Sequence, residues 1–199
     1  MASQQMRLER DSMGELKVPA DAYYGGNARR AELNFPISNL RLGRSFIKAI
    51  GQIKQSAAVV NLDLNALDEE IANAIITSAQ RVIDGEFDDQ FVVDIFQTGS
   101  GTSTNMNSNE VISNVAIEAL GGELGSRTPV HPNDHVNKGQ SSNDVFPSAI
   151  HLAAAGAIKE SLLPALKELE DSLRVKSEEF WNVVKTGRTH LQDATPIRL

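Results

Sequence analysis

Residues 95–110 read IFQTGSGTSTNMNSNE, and the reading of this stretch decides the fold. Within it, residues 98–109 are small, polar or glycine, Met106 excepted. The chain on either side is mostly apolar at helical spacing. Two readings compete. Ser, Thr and Asn are ordinary linker and helix-capping residues. Alternatively, a glycine- and hydroxyl-rich turn that feeds a helix N-terminus offers unpaired backbone N–H groups and the positive end of the helix dipole. Carboxylates and phosphates bind well there. Gly99 and Gly101 let a backbone approach such a ligand closely. The stretch is not a P-loop, because it lacks the Gly-Lys-Ser/Thr ending. Nor is it GxGxxG, because Thr104 occupies the last glycine's place.

Outward from this stretch, the pattern predicts a mainly α chain. Phe46, Ile50, Ile53, Ala57 and Val60 mark one face of a helix over 43–62. Ile71, Ile75, Ala79 and Val82 mark a second, with Asp68 as N-cap and Gly85 as stop. A third is expected over 105–120, with Val111, Ile112, Val115 and Ala119 inward and Gly121-Gly122 ending it. Residues 6–24 read as extended pieces and turns. After a loop over 121–142, Ser142 or Asn143 caps a long helix. Pro147 falls in its first turn, where proline is tolerated. Leu162, Leu166, Leu169 and Leu173 repeat at 4, 3, 4 spacing, the seam of a helix bundle, and Pro164 should kink or split that helix. The composition changes near 140, which places a boundary between a mostly helical first domain, 1–140, and the start of a bundle domain, 141–199.

Totals narrow the function. Of 199 residues, 41% are hydrophobic and 23% charged, a globular balance, and the formal charge is -7. That charge offers no global field for nucleic acid or anionic lipid, though local dipoles still suit a small anion. There is no cysteine, which excludes disulfides and thiol chemistry. No apolar run approaches the ~20 residues of a membrane helix, and the opening MASQQMRLERDS lacks a secretory pattern. A cytoplasmic protein with neither metal nor cofactor is expected.

Two further polar segments stand out, HPNDHVNKGQSSND (131–144) and GRTHLQD (187–193). His131 and His135 fit a Pro-Asn-Asp turn, and their spacing is not that of a zinc site. His151, between apolar residues on the long helix, reads as packed or pairing. His190 sits in a polar loop beside Arg188, Thr189 and Asp193, where an imidazole could exchange protons.

Taken in order, GSGTSTNMNSNE, HPNDHVN, GQSSND and GRTHLQDATP resemble the fumarase/aspartase superfamily, and more narrowly class II fumarase. ERDSMGELKVPADAYYG (9–25), FPIS (35–38) and DGEFDDQFVVDIFQTGSGT (84–102) fit as well. Aspartases typically carry Gln at the place of His190 and SAGT at the place of GSGT, so an aspartate ammonia-lyase is the alternative within the superfamily. The resemblance implies a dicarboxylate loop leading into a helix. It implies reversible hydration of fumarate to (S)-malate, without cofactor. Ser100, Gly101, Thr102, Ser141, Ser142, Asn143 and Thr189 would hold the substrate. His190 would move a proton through a bound water. His131, Pro132, Asn133 and Asp134 match a second, noncatalytic dicarboxylate site, for which Arg127 is the candidate cation. The family assembles as a homotetramer around a shared helix bundle, with active sites drawn from three subunits.

The resemblance also implies a later GSSxMPxKxN loop with the catalytic serine and a carboxylate-binding lysine, which these 199 residues do not contain. The expectation is an N-terminal portion, inactive alone, with its leucine seam exposed and prone to self-association. A noncatalytic dicarboxylate-binding or assembly module is the reading from another class.

Overall fold

The N-terminal strands β1 (Met6–Asp11) and β2 (Gly14–Pro19) pair antiparallel, with Leu8 opposite Lys17 and Arg10 opposite Glu15. The computed structural model describes residues 5–11 and 13–199. Residues 1–4 of the polar opening, and Ser12 of the 9–25 motif, lie outside the described residues. Arg7 locks the hairpin to the turn over residues 19–24. Its guanidinium donates to the carbonyls of Pro19 (3.0 Å) and Tyr24 (2.8 Å) and twice to Glu9 Oε1 (2.9 and 2.7 Å). This charged group is therefore almost wholly satisfied as it leaves water.

Among the described residues, five α-helices begin in the first compact unit, which runs to Ala154. These are α1 (Gly26–Asn34), α2 (Arg44–Asp63), α3 (Glu69–Asp84), α4 (Thr102–Ala119) and α5 (Ser142–Ala157). The expected ends of α2 and α3 hold, with Asp68 in extended N-cap conformation and Gly85 as the stop. The inward face of α2 differs from expectation. Ile47, Ile50, Lys54 and Ala58 are buried, whereas Val60 is exposed. Ala79 and Val82 of α3 and Ile112 and Val115 of α4 complete the core.

Helix α4 is the main departure. It begins at Thr102, three residues before the expected start, and takes in most of the polar run. Thr104, Asn105, Asn107, Ser108, Asn109, Glu110, Ser113 and Asn114 are all buried on it. Several of them satisfy unpaired groups of distant segments. Asn107 accepts from Val92 N–H (3.0 Å) and donates to Gln90 O (2.9 Å). Ser113 donates to Val130 O (2.6 Å). Asn114 donates to Tyr23 O and accepts from Gly125 N–H, both at 2.8 Å. The polar run offered a linker, a cap or an anion-binding turn rather than a buried helix face, but a buried polar group is tolerated when it is hydrogen-bonded.

Glu110 carries the largest share. Its carboxylate accepts the N–H groups of Gly25 (2.9 Å), Asn27 (2.8 Å) and Ala28 (3.0 Å) and the Asn27 side-chain amide (2.9 Å). It thus caps α1 from across the molecule, in place of a local Ser or Asp. Burial pushes its carboxyl above the usual range, while the N–H bonds pull the other way. Gly25 is required for the approach, since a Cβ there would lie 2.8 Å from Glu110 Cδ.

Helix α5 is capped by Ser141, not by Ser142 or Asn143. The Asn143 N–H donates to Ser141 Oγ (3.3 Å) and the Val145 N–H to Ser141 O (2.9 Å). Pro147 consequently falls in the second turn rather than the first. His151 is exposed in this chain, not packed. The compact units divide between Ala154 and Ala155, beyond the composition change near 140, because Val145 and Ala149 are buried in the first unit.

The second unit, described by itself, contains a π-helical turn (Ile158–Leu162), α6 (Leu163–Glu179) and a hairpin of β3 (Val184–Thr189) and β4 (Gln192–Arg198). Pro164 follows a break in the α-helical hydrogen bonding, a π-helical turn within one continuous helical stretch, rather than a full split. The wide turn just before it absorbs the missing N–H and the ring's clash with the preceding turn. The polar loop expected around 187–193 is instead the hairpin's end. Thr189 pairs with Gln192, and His190 and Leu191 form the two-residue turn with φ of 51° and 61°. The helical stretch Ser142–Glu179 contains a window long and apolar enough by composition to cross a membrane, against the expectation that no such run exists. The leucines of α6 repeat on one seam, however, rather than on all sides, which is the pattern of a bundle helix.

Replacing Glu110 with Gln leaves one acceptor oxygen for four donors and turns an N–H₂ group against backbone N–H. Urea unfolding of Glu110→Gln is expected to show a loss of about 3 kcal/mol.

Candidate functional site

In the first unit the N-terminal ends of α4 and α5 meet. Ser100 Oγ lies 3.0 Å from Thr102 Oγ1, and Thr102 Oγ1 lies 3.0 Å from Ser142 Oγ. Thr98 Oγ1 extends the row, 3.5 Å from Ser100. Four hydroxyls from two segments thus form one donor row, beside the positive dipole ends of two helices. Ser100 and Thr102 are exposed and Ser142 half-buried, so the row faces outward from this unit. Hydroxyls and helix N-termini bind an anion without placing a fixed cation beside it.

Gly101 makes the convergence possible. Its φ of 69° is in the left-handed region, and a Cβ there would lie 2.2 Å from the Phe146 ring of α5. Phe146 packs in turn against Phe46 with the rings tilted, at 5.0 Å between centroids and 51° between planes. The turn before α4 is held from within by Gln97, whose Oε1 accepts the Thr104 N–H (2.9 Å).

His131, Pro132, Asn133 and Asp134 are gathered in a π-helical turn, Pro132–Val136. His131 caps it, because its Nδ1 accepts the N–H groups of Asn133 (3.3 Å) and Asp134 (3.1 Å). An accepting Nδ1 is unprotonated and leaves Nε2 for other partners. Asp134 Oδ2 lies 3.3 Å from His131 Nδ1, and Asn133 donates to Asp134 Oδ1 at 3.1 Å. His135 Nδ1 accepts the His131 N–H (2.9 Å). Burial, followed by the neighbouring His131, holds the His135 imidazole below its ordinary value. Arg127, the candidate cation, turns inward instead. It lines a small cavity with Glu9, Glu110 and Asn114, and its buried Nη2 has no hydrogen-bond partner among the described residues.

Thr189 and His190 belong to the second unit, exposed at the end of its hairpin. The first unit therefore brings together Ser100, Gly101, Thr102, Ser141, Ser142 and Asn143, and separately His131 with Asn133 and Asp134. Two concave surfaces of the first unit are not lined by the hydroxyls of the row. One, of about 500 Å3, is lined by Arg29, Phe35, Ser38, Arg41 and Asp94, and one of about 620 Å3 by Gln52, Ser56, Asp144 and Ser148. Among the described residues, no three His, Asp or Glu side chains are placed to hold a metal.

Sequence reading missed Lys54. Its ammonium is fully buried on α2 and donates to Asn105 Oδ1 (2.7 Å), Asn137 Oδ1 (2.9 Å) and Gln140 Oε1 (2.9 Å). The available signal was its spacing of four from Ile50 and Ala58 on the inward face. Burial lowers its pKa from 10.5 to about 7.

The chain belongs to the lyase family, whose model matches residues 14–199. Within that family, the resemblance to class II fumarase read from the motifs is borne out. The chain is 57% identical to the class II fumarate hydratase of Halobacterium salinarum over 197 residues, covering 99% of this chain and 42% of the relative. It is 56% identical to the mitochondrial fumarate hydratase of Homo sapiens, covering 100% of this chain and 39% of the relative. The crystal structure of recombinant class II fumarase from Schistosoma mansoni superposes with a TM-score of 0.91 at 42% identity, covering 98% of this chain and 41% of that one. The chain thus spans about two fifths of the length of the curated relatives it matches.

Lys54 gives a pH signature. Its folded pKa is depressed, so between about pH 7 and about pH 10 the unfolded chain holds a proton that the folded chain has released. Stability from this group therefore rises with pH in that window. The denaturation free energy of the wild type, relative to Lys54→Met, is expected to rise by roughly 2 kcal/mol from about pH 7 to about pH 9.

Proposed function

We propose that the chain supplies the substrate-holding part of a class II fumarate hydratase, which interconverts fumarate and (S)-malate. The convergence of Ser100, Thr102 and Ser142 at two helix starts is the observation that carries this reading. The names of the relatives give the substrate. In the dehydration of (S)-malate a base removes a proton from C3, and the electron pair is delocalised into the adjacent carboxylate as an aci-acid. Hydroxide then leaves with a proton from an acid. Charge builds on one carboxylate during this step, so donors aimed at it lower the barrier. Ser100, Thr102, Ser141, Ser142, Asn143 and Thr189 are the donors in this proposal, with Gly101 shaping the turn. His190 exchanges a proton through a bound water. His131, Pro132, Asn133 and Asp134 hold a second dicarboxylate without turning it over.

The proposal extends to a homotetramer with a shared helix bundle, cytoplasmic location and a role in the tricarboxylic acid cycle. The seam Leu162, Leu166, Leu169 and Leu173 is about half exposed, as a bundle helix without its neighbours would be. Sedimentation of the 199-residue chain is expected to give an oligomer, and Leu166→Lys with Leu169→Lys a smaller species.

Loss of fumarate ultraviolet absorbance tests the activity. No turnover is expected from the 199-residue chain alone. Turnover is expected once the remaining segment of a class II relative is added back. In that mixture His190→Asn should slow the reaction on the order of 10²–10⁴-fold. Sustained turnover by the chain alone, abolished by His190→Asn, would place the base within residues 1–199 and overturn the proposal.

A further inference from the structure

Lys54 is an unusual amine, charged below about pH 7. It is fully buried, yet its three acceptors are neutral amide oxygens, and among the described residues no carboxylate takes part. A buried charge without a counter-ion is costly, and an apolar side chain of similar length would fill the space at lower cost. Stability therefore does not account for a lysine here. Its acceptors do. Asn105 lies one turn beyond Thr102 on α4. Asn137 and Gln140 belong to the loop that ends in Ser141 and Ser142. Further bonds tie the same pieces together. Asn105 Nδ2 donates to Asn137 Oδ1 (3.1 Å), Asn137 Nδ2 to Gln140 O (3.2 Å), and Gln140 Nε2 to Val136 O (2.9 Å). Asn61, also on α2, donates to Lys138 O (3.1 Å).

We propose that Lys54 is a positioning residue for the donor row. From beneath, its ammonium sets the distance between the α4 turn that carries Thr102 and the loop that carries Ser142. Three N–H donors on one nitrogen match three oxygens from two segments, which an apolar side chain does not do. A hydroxyl contact of 3.0 Å tolerates little drift, and hydrogen bonds weaken steeply with misalignment. The effect on ligand rests on the reading of the row as a dicarboxylate site. The effect on the row itself does not.

The test tracks amide resonances of Thr102, Ser142 and Asn143 in the 199-residue chain, with succinate as the unreactive dicarboxylate. In Lys54→Met these resonances are expected to move in the ligand-free protein while helix content is kept. The succinate dissociation constant should rise about 10-fold, the equivalent of one such hydrogen bond. Lys54→Arg should recover part of the loss. Gln140→Leu removes one acceptor and leaves the charge in place. It should shift the same amides and decides the matter if Lys54→Met does not fold. Unmoved amides with unchanged succinate binding, in a folded Lys54→Met or in Gln140→Leu, would overturn the proposal. Amides that move on substitution, in a protein whose wild type does not bind succinate even with the remaining segment of a class II relative added back, would uphold the positioning and refute the dicarboxylate reading.

Discussion

A carboxylate buried at the start of another helix holds the first unit together. Glu110 leaves α4 and takes the open N–H groups of α1, and Glu9 completes the set by accepting the Gly26 N–H at 2.8 Å. Both carboxylates are buried, so each must be matched donor for donor, and the chain supplies those donors from Arg7 of the N-terminal hairpin and from residues 25–28. The same requirement repeats along α4 at Asn107, Ser113 and Asn114. The helix therefore acts as a frame to which loops are fastened by single, directed bonds. Apolar contacts on α2 and α3 supply the burial, and the α4 bonds supply the register.

The donor row is a product of that frame. Thr102 stands at the outer end of α4, and the buried residues below it hold the helix in place. Ser142 arrives at the same point because Lys54, Asn105, Asn137 and Gln140 link α2, α4 and the loop before α5. Gly101 permits the ring of Phe146 to pass directly over the turn. Polar residues in one short run thus divide by position: those at 98–102 face outward, and most of those at 104–114 face inward.

That division explains what the sequence could and could not reveal. Apolar periodicity located α2 and α3 closely, since Ile75, Ala79 and Val82 repeat at helical spacing and Gly85 stops the pattern. The start of α4 was misplaced because its buried face is made of Thr104, Asn105, Asn107 and Ser108, which carry no apolar signal. Glu110 and Lys54 were invisible for the same reason. Their partners lie far off in sequence, and a lone charged residue in a helix is ordinarily solvated. The hairpin around His190 was read as a loop because Gly187, Pro196 and several polar residues mask the alternation in β3 and β4. The candidate site residues came from the order of four motifs rather than from any one of them, and of these Ser100, Thr102 and Ser142 are brought into contact. Arg127 was named from its distance to His131, which says nothing of the direction its side chain takes.

The polar interior of α4 also bears on the order in which the chain can fold. Asn105 finds Lys54 51 residues earlier and Asn137 32 residues later, while Glu110 reaches back 85 residues to Gly25. Apolar faces can collapse on whatever partner is at hand, but these amides and carboxylates cannot leave water until their own partners are present. During synthesis from the N-terminus, α2 and α3 can pair early through local apolar contacts. Helix α4 must remain hydrated until the loop ending at Gln140 has emerged. Loop closure over such separations slows folding, and the nascent chain is expected to hold its most polar helix open until then.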